Sequence, residues 1–299
     1  MRSDDDSWDI TESVGATALA VAAMRAAETR RPDALFDDPF AETLVAATGA
    51  PAWQRIGRGE FAPDAGSAYA RLGDLIVART VYFDEYFQDA LAEGVRQFVI
   101  VAAGLDARAY RLEWPSDATV FEIDLPKVLA FKAAALAGRV PAVDRREVVA
   151  DLRQDWPKAL LDKGFDTSRP TAWLAEGLLR YLPGDAQDQL FDEIAALSAP
   201  GSRVALNMSG KRTSAELHAD DTRSRFMASQ GISINVDTLW YPFEGRTHPA
   251  DWFRDHGWTV HPGDLNALLA ARGRRADELG TTEMTPHIIL TAIRPGGDS

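Results

Sequence analysis

The sequence predicts an α/β fold in which a doubly wound, mainly parallel sheet carries helices on both faces. Three observations lead there. Short apolar runs alternate with helical segments from residue 97 to residue 293, the order that builds a parallel sheet through crossover connections. Residues 1–92 carry helical patterns, which sets a helical cover in front of that sheet. The first apolar run ends at Gly104 in a tight turn, where open parallel sheets hold their ligands.

Taken in order, Val14 to Ala27 is rich in strong helix formers and stops at Arg31-Pro32. Asp38-Pro39 starts a second helix, an N-cap residue followed by proline in the first turn. Ser67 to Ala92 forms a third, with Tyr69, Leu72, Ile76, Phe83 and Phe87 near helical spacing. Gly57 to Gly66, rich in glycine and charge, reads as a loop. Strands are expected at Gln97–Ala103, Thr119–Asp124, Arg146–Ala150, Thr171–Ala175, Arg203–Met208, Trp258–Val260 and Pro286–Ile293. Between them fall helices at Leu125–Ala137, Asp185–Ala199 and Pro249–His256, closed by glycine or Pro-Gly. Lys211 to Tyr241 is polar, has helical composition and interrupts the alternation, so it reads as an insertion. Arg111-Leu112-Glu113-Trp114-Pro115 is echoed by Arg153-Gln154-Asp155-Trp156-Pro157, but a repeat fold needs a third copy and the pair reads as turn chemistry after two strands.

Composition narrows the chemistry. At 299 residues, with 46% apolar and 26% charged side chains, the chain can bury a large core without staples. It contains no cysteine, which excludes disulfides, thiolate zinc sites and a cysteine nucleophile. A formal charge of −13 opposes nucleic acid and anionic lipid. The Arg272, Arg274 and Arg275 cluster runs straight into Asp277 and Glu278 and reads as a solvated loop. No segment is long and apolar enough to span a bilayer, and Asp4 to Asp6 carry the wrong charge for a secretory signal, so a soluble, cytoplasmic protein is expected.

Residues at the strand ends point to a ligand. Gly104 lets the backbone turn and admits close contact, but Ala103-Gly104-Leu105-Asp106 lacks the further glycines that accommodate a pyrophosphate, and Asp106 would repel one. Twenty residues on, Asp124 closes the second strand, placed either to accept hydrogen bonds from ribose hydroxyls or to cap the next helix. Glu122 shares its face. Asp151, after the third strand, suits an adenine amine, with Leu152 supplying backbone and apolar surface, and Glu176 after the fourth points into the same crevice. Acidic groups without a phosphate site suit a cationic nucleoside such as S-adenosyl-L-methionine. Its tail carboxylate needs a cation, for which Arg79 is the candidate; the other reading makes Arg79 a partner of Asp84 or Glu85.

The ordered set Gly104-Leu105-Asp106-Ala107-Arg108, Phe121-Glu122-Ile123-Asp124-Leu125-Pro126, Asp151-Leu152 and Ala175-Glu176-Gly177-Leu178-Leu179-Arg180-Tyr181-Leu182 resembles the leucine carboxyl methyltransferase-like family, in its bacterial branch. The resemblance extends to Asp38-Pro39-Phe40-Ala41 and the Arg79 segment. It implies a class I methyltransferase (Rossmann-like) fold with a seven-stranded sheet, the last strand antiparallel. It further implies one domain over 1–299, with a helical cover at 1–92 and a core at 93–299 that carries an insertion near 211–248. S-adenosyl-L-methionine would lie with Arg79 on its tail carboxylate, Gly104 under the methionine portion and Asp124 on the ribose. Asp151 and Leu152 would meet the adenine edge, and Glu176 the amino-acid end.

The expected reaction is O-methylation of a carboxylate or hydroxyl on a small molecule or peptide. A carboxylate needs no general base at neutral pH, and no catalytic residue is assigned. His248 and His256 flank a helix and suit capping, and no metal-ligand spacing occurs. Trp240, Tyr241 and Phe243 either line an acceptor pocket or form a core seam. A nicotinamide oxidoreductase is disfavoured by the missing glycines and Asp106, while a non-catalytic cofactor binder stays open.

Overall fold

Strand alternation sorts the core into two layers. In the computed structural model, which describes residues 13–61, 68–210, 224–225, 227–229, 231–232, 239–274 and 287–296, seven strands form one sheet. They are β1 (Gln97–Val101), β2 (Thr119–Asp124), β3 (Asp144–Val149), β4 (Thr171–Ala175), β5 (Arg203–Ser209), β6 (Thr259–Pro262) and β7 (His287–Ile293), ordered β3-β2-β1-β4-β5-β7-β6. β1 to β5 are parallel, and β7 runs antiparallel to both β5 and β6. This is the class I methyltransferase arrangement. The strand order reverses between β1 and β4, which opens a crevice beyond their carboxyl ends.

Period-two alternation gives each face its own core. Phe98 and Ile100 of β1 pack with Ala172 and Leu174 of β4 on one face; Val99 and Val101 pack with Trp173 and Ala175 on the other. The first face is covered by α1 (Ser13–Thr29), α2 (Pro39–Ala47), α3 (Pro51–Gly57) and α4 (Ala68–Ala92). α4 seats Phe87 edge-on against Phe98, their ring centroids 5.3 Å apart, and the Tyr86 hydroxyl reaches the carbonyls of Trp173 and Arg203 at 3.0 Å each. The second face packs Phe191 of α8 (Gly184–Leu197) and Phe253 of α9 (Pro249–Asp255).

The helix signals place the longer elements well. Asp38 caps α2 by accepting from the Ala41 N–H at 3.0 Å, and the ring of His248 caps α9 by accepting from Ala250 N–H at 3.2 Å. His256, at the far end of α9, stacks on Trp252 with centroids 3.7 Å apart. Four helices stand where the sequence shows no periodicity: α3, α5 (Arg108–Arg111), α7 (Trp156–Asp162) and α10 (Leu265–Ala270). Each has seven residues or fewer, too short for an amphipathic pattern to register. The reading of Trp156-Pro157 as a turn is therefore corrected. Asp155 accepts from Lys158 N–H and Pro157 sits in the first turn, so these residues open α7, whereas Trp114-Pro115 follows α5 as an irregular turn. Strand boundaries also move: β1 ends at Val101, β3 starts at Asp144 and β6 runs on to Pro262. Most of the 211–248 insertion, together with Asp4 to Asp6, His218 and Arg275, lies outside the described residues.

The basic cluster near residue 272 is not merely solvated. Arg274 pairs with Glu28 at 2.6 Å and Arg272 with Glu85, so both cations are matched by acids of α1 and α4. Among the described residues, no helix is long and apolar enough to cross a membrane.

Candidate cofactor site

The turn after β1 is built from two residues in the left-handed region. Ala102 has φ +53°, alone among the described non-glycine residues, and Gly104 has φ +50°. A left-handed alanine costs on the order of 1 kcal/mol, and such strain concentrates where a site fixes its backbone. The turn is tied sideways to β2. Ala103 N–H donates to the Ile123 carbonyl at 3.0 Å, and Gly104 N–H donates to Asp124 Oδ2 at 2.6 Å.

Asp124 therefore acts across strands rather than as a helix cap. The first residue before α6 (Pro126–Ala135) is Leu125, which has no side-chain cap, and Asp124 Oδ1 accepts only from Leu125 N–H at 2.7 Å. Burial pushes the Asp124 carboxyl upward despite these donors. Two backbone bonds occupy about two of the four acceptor positions of a carboxylate, leaving room for a vicinal diol. Glu122, on the same strand, is committed elsewhere: fully buried, it holds Lys132 at 2.9 Å and Arg145 at 2.6 Å.

At β4, Glu176 lies between two arginines. Its Oε1 accepts from Arg79 Nε and its Oε2 from Arg108, both at 2.8 Å. Gly177 follows at φ +65°, its N–H donating to Asn207 Oδ1 at 2.8 Å, and a side chain there would meet the Arg79 guanidinium at 3.8 Å. Arg79 thus pairs with neither Asp84 nor Glu85 but with the acid at the switch point. Burial alone would raise the Glu176 carboxyl, yet the charges of Arg108 and Arg79 outweigh it and hold it below the ordinary range.

Arg108 is the hub that sequence reasoning leaves without a role. Only 2% exposed, it bonds Asp84 at 2.7 Å, Asp106 and Glu176. Asp84 also takes both terminal nitrogens of Arg111 at 2.7 and 2.6 Å, and Arg111 lies 3.7 Å from Asp38, which Arg25 holds at 2.9 Å. Four arginines and four carboxylates alternate from α1 through α2, α4 and α5 to β4. Burial raises Asp106, but Arg108, Lys132 and Arg25 beside it bring its carboxyl down to about 2. The acids around the crevice already have partners: Asp106 and Glu176 are each balanced by arginine, and Asp124 is held by backbone N–H groups. The signal that could have found Arg108 is an arginine two residues from an aspartate in an otherwise apolar turn.

Asp151, after β3, is bound locally by Arg153, whose Nη2 stands at 2.6 Å; that hydrogen bond holds the Asp151 carboxyl below its usual value. Ala150 N–H donates to the Asp124 carbonyl at 3.1 Å, which places Asp151 beside the end of β2. Leu152 is half-buried against the second core layer. Gly104, Asp124, Asp151, Leu152 and Glu176 thus all follow or end strands at one edge of the sheet, and Arg79 reaches it from α4.

The 240–243 segment packs beside the same loop. Trp240 and Phe243 lie 5.3 and 5.9 Å from the Arg180 guanidinium, and Tyr241 N–H donates to the Arg180 carbonyl at 2.9 Å. Tyr181, in the 3₁₀ turn Leu179–Tyr181, hydrogen-bonds Thr17 of α1 at 3.0 Å.

Comparison with known proteins decides the family. The model of the family described as leucine carboxyl methyltransferase matches residues 18–195. The chain belongs to the leucine carboxyl methyltransferase family. A relative from Mycobacteroides abscessus is 51% identical over 288 residues, covering 93% of this chain and 94% of its own length. One from Mycobacterium tuberculosis is 47% identical over 310 residues, covering 98% of each chain. Both are named as candidate S-adenosyl-L-methionine-dependent methyltransferases. Among solved structures, a DUF574 family protein from Streptomyces avermitilis superposes with a TM-score of 0.54 at 13% identity, covering 96% of this chain and 100% of its own, which supports the fold. All six residues singled out for the cofactor, Arg79, Gly104, Asp124, Asp151, Leu152 and Glu176, fall inside the matched span.

Proposed function

We propose that this family member is an S-adenosyl-L-methionine-dependent methyltransferase that transfers the methyl group to an oxygen, carboxylate or hydroxyl, of a small molecule or peptide. The observation that carries the reading is the donor set at the switch point. A zwitterionic amino-acid tail needs one guanidinium and one carboxylate, and Arg79 and Glu176 stand 2.8 Å apart at the end of β4. A ribose needs paired acceptors, and Asp124 keeps acceptor positions open beside the Gly104 turn. The bound cofactor supplies a methyl group on a sulfonium, activated for in-line displacement by an oxygen nucleophile.

The protein's own groups then have limited work. Arg79 binds the tail carboxylate, and Glu176 its ammonium. Asp124 binds the ribose diol, and Asp151 with Leu152 the adenine edge. Orientation of the acceptor is the main catalytic demand, because a carboxylate is already ionised at neutral pH and needs no general base. Trp240, beside Arg180 next to the Glu176 loop, would line the acceptor side, while Phe243 packs against the core as a seam residue. Helices α1 to α4 would serve as the cover of the same domain, since α1 and α4 share a core with β1 and β4.

Two experiments test this. Calorimetry should show binding of S-adenosyl-L-methionine and S-adenosylhomocysteine and no binding of NAD or NADP; the reverse pattern removes the reading. With methyl-labelled cofactor and a library of carboxylic acids and hydroxyl compounds, the product label should be released as methanol by mild base, as a methyl ester requires. A base-stable label identifies a hydroxyl acceptor instead.

A further inference from the structure

The Glu176 carboxylate has two arginine partners, one on each oxygen, and they are not equivalent. Arg79 comes from the middle of α4, and its side chain is 11% exposed. Arg108 is 2% exposed and is fixed on its other sides by Asp84 and Asp106, themselves 7% and 8% exposed. Arg79 can exchange one carboxylate for another at little cost, since among the described residues its ion pair is with Glu176 and its guanidinium faces Gly177. Arg108 cannot move without uncovering Asp106 and loosening Asp84 and Glu176 as well.

Charge counting gives the consequence. With Arg79 included, the arginines and carboxylates of the network balance one for one. Set Arg79 aside to bind an incoming carboxylate, and Arg25, Arg108 and Arg111 are left facing Asp38, Asp84, Asp106 and Glu176, an excess of one negative charge. That excess resides on Glu176 Oε1, the atom Arg79 vacates, and it is the complement of one ammonium group. A buried carboxylate deprived of every partner would be strongly disfavoured; one still bonded through Oε2 is not.

We propose that Arg108 is a positioning residue for the cofactor's amino-acid end. It holds Glu176 through Oε2 while Arg79 swaps Glu176 Oε1 for the cofactor carboxylate, so that one ion pair opens into a matched pair of sites. This rests on the cofactor reading above and adds to it a residue outside the expected binding set. Arg108 touches neither the sulfur nor the nucleoside in this scheme, so its effect is confined to the tail.

The test compares S-adenosylhomocysteine with 5′-methylthioadenosine, which has the nucleoside and sulfur but no amino-acid end, by calorimetry on full-length protein. In Arg108→Gln, S-adenosylhomocysteine should bind about 10- to 100-fold more weakly, while methylthioadenosine changes less than about threefold. The loss should also move to higher pH, because Glu176 without Arg108 protonates more readily. Arg108→Lys keeps the charge without the planar fork and guards against a Gln variant that fails to fold. It should show a smaller loss, still confined to S-adenosylhomocysteine. Equal weakening of both ligands, or no weakening of either, overturns the positioning role while leaving the cofactor reading intact. If the wild type binds neither nucleoside, the cofactor reading itself fails.

Discussion

At the β2–β3 end of the crevice, Asp124 is held by two backbone N–H groups and Asp151 by an arginine two residues along the chain. At the β1–β4 end, Glu176 is held by Arg79 and Arg108, 97 and 68 residues away. The proposed nucleoside end is thus made of backbone and short-range contacts, and the proposed tail end of tertiary ion pairs that tie α1, α2, α4 and α5 to the sheet. The first should tolerate substitution better than the second, whose charges are buried and share partners.

That contrast yields expected outcomes in order of size. Removing the hub with Arg108→Met leaves buried Asp106 without its arginine and takes one of two arginines from Asp84 and from Glu176, which should cost about 3–5 kcal/mol of folding stability, read from urea unfolding. A loss below about 1 kcal/mol would mean that the tail end is no more integrated than the nucleoside end. Asp124→Ala should leave the fold largely intact but weaken S-adenosyl-L-methionine by about 1.5–3 kcal/mol in calorimetry, the range for hydrogen bonds to a charged group. Unchanged affinity would place the ribose elsewhere.

Acid should destabilise the tail end through the carboxyls that its arginines hold low. Asp106 titrates at about 2 when folded, against an ordinary 3.8, so its contribution is complete above the ordinary value and is lost as pH falls through about 2. It should amount to roughly 2 kcal/mol, disappearing between about pH 4 and pH 2. Glu176, also lowered, adds in the same direction; Asp124, raised by burial, works in the opposite sense and is most favourable to folding when protonated. Stability that rises as pH is lowered from 4 to 2 would contradict this balance. The smallest effect belongs to Arg153→Ala. Its side chain is 57% exposed, and the pair with Asp151 should be worth less than about 1 kcal/mol in thermal unfolding.

The same contrast explains what was legible in the sequence. Gly104, Asp124 and Asp151 sit at the ends of strands with clear apolar runs, and adjacent parallel strands bring such ends together. Their spacing along the chain therefore carries the geometry. The choice of Asp124 over Glu122 follows from the strand end, and the structure shows why it matters: Glu122 is consumed by Lys132 and Arg145. The capping alternative for Asp124 needed the structure, since only the Gly104 contact separates the two readings.

What could not be read is equally specific. The partners of Arg108, Arg111, Asp84 and Asp38 are set by how α1 to α5 pack, and no periodicity encodes a contact between a helix and a turn 24 residues later. Arg79 shows this most clearly, because Asp84 and Glu85 lie within six residues of it in the chain and neither is its partner. The short helices α3, α5, α7 and α10 were missed for a related reason: tertiary packing, not propensity, holds a helix of one or two turns.

A crystal structure with S-adenosylhomocysteine bound tests the central claim most directly. The ribose hydroxyls should donate to Asp124 next to the Gly104 turn, the tail carboxylate should sit on Arg79, and Glu176 should stay bonded to Arg108. A nucleoside found away from the carboxyl ends of β1, β2 and β4, or an Arg79–Glu176 pair left unbroken beneath it, would contradict the account.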